Sequence, residues 1–185
     1  MQLPQSGVIL DVGSCAATYL SAIQQSDSFL HCLDPIDCRS DMPANAIFYH
    51  QSIIGNTLPR TYFDAVIFLS VLEHIGLPCY GQKPFTNGDR LALAEAWDLL
   101  KPGSPVIVTV PAGQGKVVSW YRQYTPPMLH DLFAGWEAKF YYWGFDGTKY
   151  VPIEEHDVGL YDYRDHPYVI GAGAGALAGV VAHRS

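Results

Sequence analysis

The residues near the start of the chain that can do chemistry are Asp11, Gly13, Ser14 and, about twenty positions later, Asp34. They sit in two runs, "VILDVGSCAA" and "LHCLDPID", each an apolar stretch ending in an acid. An acid, a glycine and a helix-capping serine after a buried strand make a tight turn beneath a ligand site. The second acid stands at the distance, roughly twenty residues, at which such folds reach ribose hydroxyls. One glycine is present where dinucleotide sites carry three, because Cys15 and Ala17 hold the second and third places. A side chain at the second place obstructs a pyrophosphate, which disfavours NAD and FAD. A ligand with ribose but no phosphates tolerates the looser turn, and S-adenosylmethionine is such a ligand. Gly13 and the neighbouring N–H groups then face its aminocarboxylate, and Asp34 its ribose diol. The alternative is an ordinary strand–turn–helix in which Gly13 only permits the turn.

A second group of candidates follows the run "FDAVIFL". Glu73 and His74 lie just beyond it. Methyl transfer from a sulfonium is an in-line displacement that rests mainly on alignment, and it needs a base only where the acceptor must lose a proton. His74 suits proton work near neutrality; capping or packing is the competing role. Tyr121, Arg122 and Tyr124 follow the run 105–110 and either orient an acceptor or form a surface cluster. Pro78 to Gly88, rich in turn residues and aromatics, is a lid or a plain loop. Glu154, Glu155, His156, Asp157 and His166 invite a metal, but the run lacks helical His spacing and a nearby cysteine, so it reads as a solvated acidic turn and no metal is expected. "GAGAGALAG" imitates a dinucleotide fingerprint, yet no helix and ribose acid can follow it. It reads as a close passage into the last strand.

The elements that must position these groups are unbroken apolar runs at 7–12, 29–33, 46–50, 63–69 and 105–110, the pattern of parallel strands covered on both faces. Helices are expected over 16–25 and over 89–100. Asp89 caps the second, and Leu91, Leu93, Ala94, Trp97 and Leu100 form its apolar stripe. Another helix is expected over 124–134, with Thr125 as its cap and Pro126 at its first position. The segments 136–145 and 148–153 flank Asp146-Gly147, a hairpin signal, and 176–182 closes the chain. Alternation of this kind implies an open α/β sheet with right-handed crossovers.

Composition narrows the function. A single domain over 1–185 is expected for a chain of 185 residues that is 49% hydrophobic. The net charge of −7, with Lys and Arg scattered singly, argues against nucleic acid. No apolar stretch is long enough to span a bilayer, and the first residues do not read as a signal peptide. The four cysteines, Cys15, Cys32, Cys38 and Cys79, form no CxxC pair and read as reduced, buried side chains in a cytoplasmic protein.

Over nearly its whole length the sequence resembles the class I S-adenosylmethionine-dependent methyltransferases. "VILDVGSCAA" is similar to their first motif, "LHCLDPID" to the second strand with its ribose-binding acid, and "YFDAVIFLSVLEHIG" to the fourth-strand motif. "LLKPGSPVIVTVP" resembles their turn and fifth strand, and "YRQYTPPML" the segment after it. A narrower resemblance, through "LEHIGLPCYGQKPFTNGD", is to an uncharacterised methyltransferase-like family without a settled substrate. The resemblance implies a Rossmann-like, doubly wound, mostly parallel seven-stranded sheet with an antiparallel C-terminal hairpin. It implies S-adenosyl-L-methionine as cofactor and methyl transfer to a small-molecule or glycan-type acceptor. It also implies that Asp11, Gly13 and Ser14 line the methionine part, Asp34 the ribose, Gln51 and Ser52 the adenine edge, and Leu69 and Ser70 the sulfonium. Glu73, His74 and Tyr121 are the catalytic candidates.

The sequence departs from the pattern in its thinned first motif and in starting at the first strand, without the N-terminal helices that usually cover the substrate. An aromatic rim of Tyr80, Phe85, Trp120, Tyr121 and Tyr124 is therefore expected to be covered by the 78–88 loop, by a second copy in a homodimer, or by the acceptor. The rival readings are a non-catalytic methyltransferase-like partner module and, against Cys15, a nucleotide-dependent oxidoreductase.

Overall fold

A computed structural model of the chain describes residues 6–15, 17–24, 27–163 and 173–184. In chain order its elements are β1 (Ser6–Val12), α1 (Leu20–Gln24), β2 (Asp27–Asp34), β3 (Ile47–His50), β4 (Ala65–Leu69) and α2 (Gly88–Leu99). There follow β5 (Pro105–Ala112), the two-residue strands β6 (Lys116–Val117) and β7 (Arg122–Gln123), α3 (Pro126–Leu132), β8 (Glu137–Phe145), β9 (Tyr150–Pro152) and β10 (Ala176–His183). The main sheet runs β3-β2-β1-β4-β5-β10-β8-β9. Its first five strands are parallel, and β10, β8 and β9 continue it antiparallel. The order reverses between β1 and β4, and it is at such a switch point that α/β sheets bind ligands, beyond the carboxyl ends of the strands.

The sheet has eight strands among the described residues, not the seven expected. The extra one is β9, whose three residues pair with Trp143 to Phe145 across the anticipated turn. Asp146 Oδ1 accepts from the Thr148 and Lys149 N–H groups at 2.8 and 3.0 Å and closes that turn.

Apolar runs on the parallel strands put side chains into both faces. Leu10, Val12, Val66, Phe68, Val106 and Val108 join the larger core with α2 and α3. Ile9, Cys32, Ala65 and Ile67 meet Leu20 and Ile23 on the other face. Within α2 the buried positions are Gly88, Ala92, Leu93, Ala96 and Leu99, whereas Leu91 is 45% exposed. The expected stripe is thus displaced around the helix, because small Ala92 and Ala96 let it sit close to the sheet. Asp89 does not cap α2. Asn87 holds the N-cap position, and Asp89 accepts the Tyr124 hydroxyl at 3.0 Å. Thr125 caps α3 as expected, its side chain accepting from the Met128 N–H.

The cysteines depart furthest from expectation. Cys15 and Cys38 form a disulfide, with Cα atoms 5.7 Å apart, while Cys32 and Cys79 are free and buried. Cys15 follows β1 and Cys38 follows β2; these strands are parallel neighbours, so the segments leaving their carboxyl ends lie side by side. Among the described residues no helix is long and apolar enough to cross a membrane.

Candidate functional site

Two cavities adjoin at the carboxyl edge of the sheet. The first, about 390 Å³, lies over the ends of β1, β2 and β4 and is lined by residues that include Gly13, Cys15, Asp34, Ser70, His74 and Tyr80. The second, about 320 Å³, is lined by Glu73, Pro111, Trp120, Tyr121, Tyr150 and Tyr163 among others. Ser70 and His74 line both, so the two meet there. Ser70 holds a left-handed backbone, φ 55°, and its N–H donates to the Thr109 carbonyl at 3.0 Å. Strained non-glycine residues of this kind gather at ligand sites.

In the first cavity the acid is built into the backbone. Asp34 is buried, and its carboxylate accepts from the Cys15 N–H at 3.0 Å and from the Ile36 N–H at 2.8 Å. Each bond uses one lone pair of one oxygen, which leaves acceptor capacity for a diol. Gly13 works by lacking a side chain. Its φ is 78°, its N–H is committed to the Leu33 carbonyl at 2.8 Å, and a Cβ there would lie 2.5 Å from the Val71 Cγ2. Gly13→Ala should therefore cost about 2 kcal/mol of stability, combining a left-handed backbone with overlap against Val71. Urea denaturation of that variant and of the double variant with Val71→Ala checks this, since the second change recovers only the overlap part.

The remaining expected cofactor residues stand around this cavity rather than in its lining. Asp11 and Ser14 are fully buried; Ser14 Oγ donates to the Asp11 carbonyl at 3.0 Å, and Asp11 Oδ1 accepts the Tyr19 hydroxyl at 2.8 Å. Burial pushes the Asp11 carboxyl up to about 6, although the hydroxyl bonds pull the other way. Asp11 points to the face covered by α1 because it alternates with Leu10 and Val12 along β1. Gln51 accepts from Thr57 and Ser52 from Ile54, so both close the turn after β3, and Ile53, the next residue, lines the cavity. Leu69 packs against the smaller core.

Glu73 and His74 lie side by side in the 3-10 turn Leu72–His74 after β4. His74 Nδ1 bonds the Trp120 carbonyl. A carbonyl only accepts, so Nδ1 carries the proton and Nε2 keeps a lone pair. Burial lowers the His74 pKa, as does nearby Arg122, while the Trp120 bond raises it, and the net direction is downward. The ring stacks on Trp120 at 5.6 Å and meets Tyr80 edge-on at 5.4 Å. Glu73 is 2% exposed, and burial pushes its carboxyl up to about 8. Its Oε1 is 3.8 Å from His74 Nε2.

The rim differs from expectation. Tyr80, Phe85 and Trp120 are exposed, but Tyr121 and Tyr124 are buried. Tyr121 stacks on Tyr163 at 4.2 Å beneath Trp120, and Tyr124 joins the larger core with its hydroxyl on Asp89. Arg122 is buried too, donating to the Glu73 and Ile75 carbonyls 3.7 Å from Asp89. Tyr150 and Tyr163 come from segments far along the chain, and no motif marks them. Glu155 bonds His130 and Asp157 faces His156, so the acidic turn gathers no metal-binding group among the described residues; His166 and the start of the glycine run lie outside them.

No protein-family model matches the chain, and no curated protein matches it in sequence. Solved structures do share its fold. The YcgJ protein of Bacillus subtilis matches over 100% of this chain and 94% of its own, at 13% identity and a TM-score of 0.68. A SAM-dependent methyltransferase of Methanosarcina mazei matches over 98% and 94%, at 12% identity and a TM-score of 0.65. The 1,6-didemethyltoxoflavin N1-methyltransferase of Burkholderia thailandensis, solved with S-adenosylhomocysteine, matches over 97% and 72%, at 15% identity and a TM-score of 0.64. The fold is that of the class I S-adenosylmethionine-dependent methyltransferases.

Proposed function

We propose that the chain binds S-adenosylmethionine in the first cavity and transfers its methyl group to a small molecule held in the second. The observation that carries this reading is the shared lining, since two cavities that meet at Ser70 and His74 suit a donor and an acceptor whose reacting atoms must meet in line. The residues fit the cofactor. Asp34 faces the ribose diol, Ile36 and Ile53 offer apolar surface to the adenine, and Gly13 leaves room for the methionine end. Bound there, the cofactor supplies an electrophilic methyl group. Glu73 or His74, whose Nε2 is unprotonated, takes a proton from the acceptor side. Tyr80 and Gln82, from the 78–88 loop, line the mouth and act as its lid.

Calorimetric titration with S-adenosylmethionine, S-adenosylhomocysteine and NAD tests the reading. Binding of the first two alone is the expected result. Asp34→Ala should weaken it by about 1.5–3 kcal/mol, a factor of ten to a hundred, because the ribose hydroxyls lose their acceptor in a partly buried site. An unchanged dissociation constant in that variant would move the ribose contact elsewhere. One observation favours the non-catalytic partner module: Cys15 is bonded to Cys38 at the cofactor turn. Absence of binding to all three ligands would select it.

A further inference from the structure

We infer that the second cavity is a site for an organic ammonium ion, with the Glu73 carboxylate as its counter-ion and Trp120, Tyr121, Tyr150 and Tyr163 as its aromatic walls. Glu73 lines the cavity, is almost wholly buried, and its Oε2 makes no hydrogen bond among the described residues. Its closest ion-pair contact, His74 Nε2 at 3.8 Å, is beyond hydrogen-bond reach. Arg122 does not neutralise it, because that guanidinium donates to main-chain carbonyls and faces Asp89. Among the described residues Glu73 also acts on the phenols of Tyr80 and Tyr124, which are neutral at pH 7.

A buried carboxyl with one oxygen unpaired among the described residues, beside a cavity, calls for a ligand that satisfies it. An anion would oppose ionisation of the carboxyl, and an apolar ligand would leave Oε2 unpaired. A cation satisfies the carboxylate and also meets the negative faces of the surrounding rings. The rings are held for that purpose: Trp120 packs edge-on against Tyr121 at 4.8 Å and Tyr163 at 5.8 Å, and the Tyr150 hydroxyl is fixed to the Ala174 carbonyl at 2.6 Å. The volume, about 320 Å³, suits a small molecule.

Resting on the proposed methyl transfer, the ammonium is the methyl acceptor. Glu73 takes one proton from a primary or secondary ammonium. The freed nitrogen pair forms the N–C bond as the C–S bond breaks, its electron pair staying on sulfur. The product leaves as a methylated ammonium, and Glu73 passes its proton to solvent.

The test uses choline and its neutral carbon isostere, 3,3-dimethyl-1-butanol, titrated calorimetrically into the full chain at pH 7 in two buffers of different ionisation heat. Choline should bind at least about tenfold more tightly than the isostere. It carries no acidic N–H, so ionising Glu73 should release about one proton per choline bound. Glu73→Gln should lose both the preference and the release, with a thermal melt confirming that it folds. Trp120→Leu should weaken choline more than the isostere and provides a second variant. Equal affinities, no detectable choline binding, or a preference that survives Glu73→Gln would overturn the inference. Choline binding without S-adenosylhomocysteine binding would instead overturn the methyl-transfer reading alone, and the reverse pattern the ammonium site alone.

Discussion

Replacing Glu73 with glutamine should raise the folding stability of the chain at about pH 9 by as much as about 4–5 kcal/mol and change it little near pH 4. The sign follows from proton counts. Burial lifts the folded carboxyl to about 8 from an ordinary value of 4.5. Below the ordinary value both states hold the proton, and nothing is gained or lost. Between the two values the folded state binds more protons than the unfolded one, so wild-type stability falls as pH rises, and it levels off above the folded value. Glutamine keeps the shape and removes the ionisation. Asp11 and His74 also titrate abnormally, so the measurement is the difference between variant and wild type in urea denaturation across the range. A difference that stays flat with pH would show that Glu73 ionises freely in the folded chain. Its neighbours would then have to supply the compensation that they do not show here.

Reduction of the Cys15–Cys38 bond by a dithiol should lower stability by about 3.5 kcal/mol, the loop-closure entropy of a link between residues separated by 23 positions. Cys15→Ser should lower stability by a similar amount and be insensitive to the reductant, whereas Cys32→Ser and Cys79→Ser, which keep the bond, should lose as much on reduction as the wild type. The loss should be local first. The bond ties the turn after β1 to the segment after β2, and both line the first cavity beside Asp34. Reduced and oxidised chains should therefore differ in hydrogen exchange at 13–15 and 34–38. Identical melting curves with and without dithiol would mean that the pair does not stay bonded in solution.

Much of this architecture was legible because the signals are local. Unbroken apolar runs marked β1, β2, β4 and β5 as strands buried on both faces. Asp146-Gly147 marked the β8–β9 turn, and Thr125-Pro126 the start of α3. Helix facing was less legible: in α2 the large Leu91 lies outside and the small Ala92 and Ala96 inside, because closeness to the sheet, not side-chain size, chooses the buried stripe. The run "WYRQY" reads as part of an aromatic rim, yet stacking on Tyr163 and the bond to Asp89 draw Tyr121 and Tyr124 inside.

By itself the sequence determined the acids at the ends of β1 and β2, the single left-handed glycine between them and the Glu73-His74 pair after β4, since each depends on a strand and the few residues that follow it. Only the tertiary structure decided that Cys15 meets Cys38, that Asp11 turns away from the cavity while Asp34 faces it, and that Tyr150 and Tyr163 complete a ring wall beside Glu73. Those outcomes depend on which strands are neighbours and how distant segments pack at one sheet edge. No spacing along the chain carries that information.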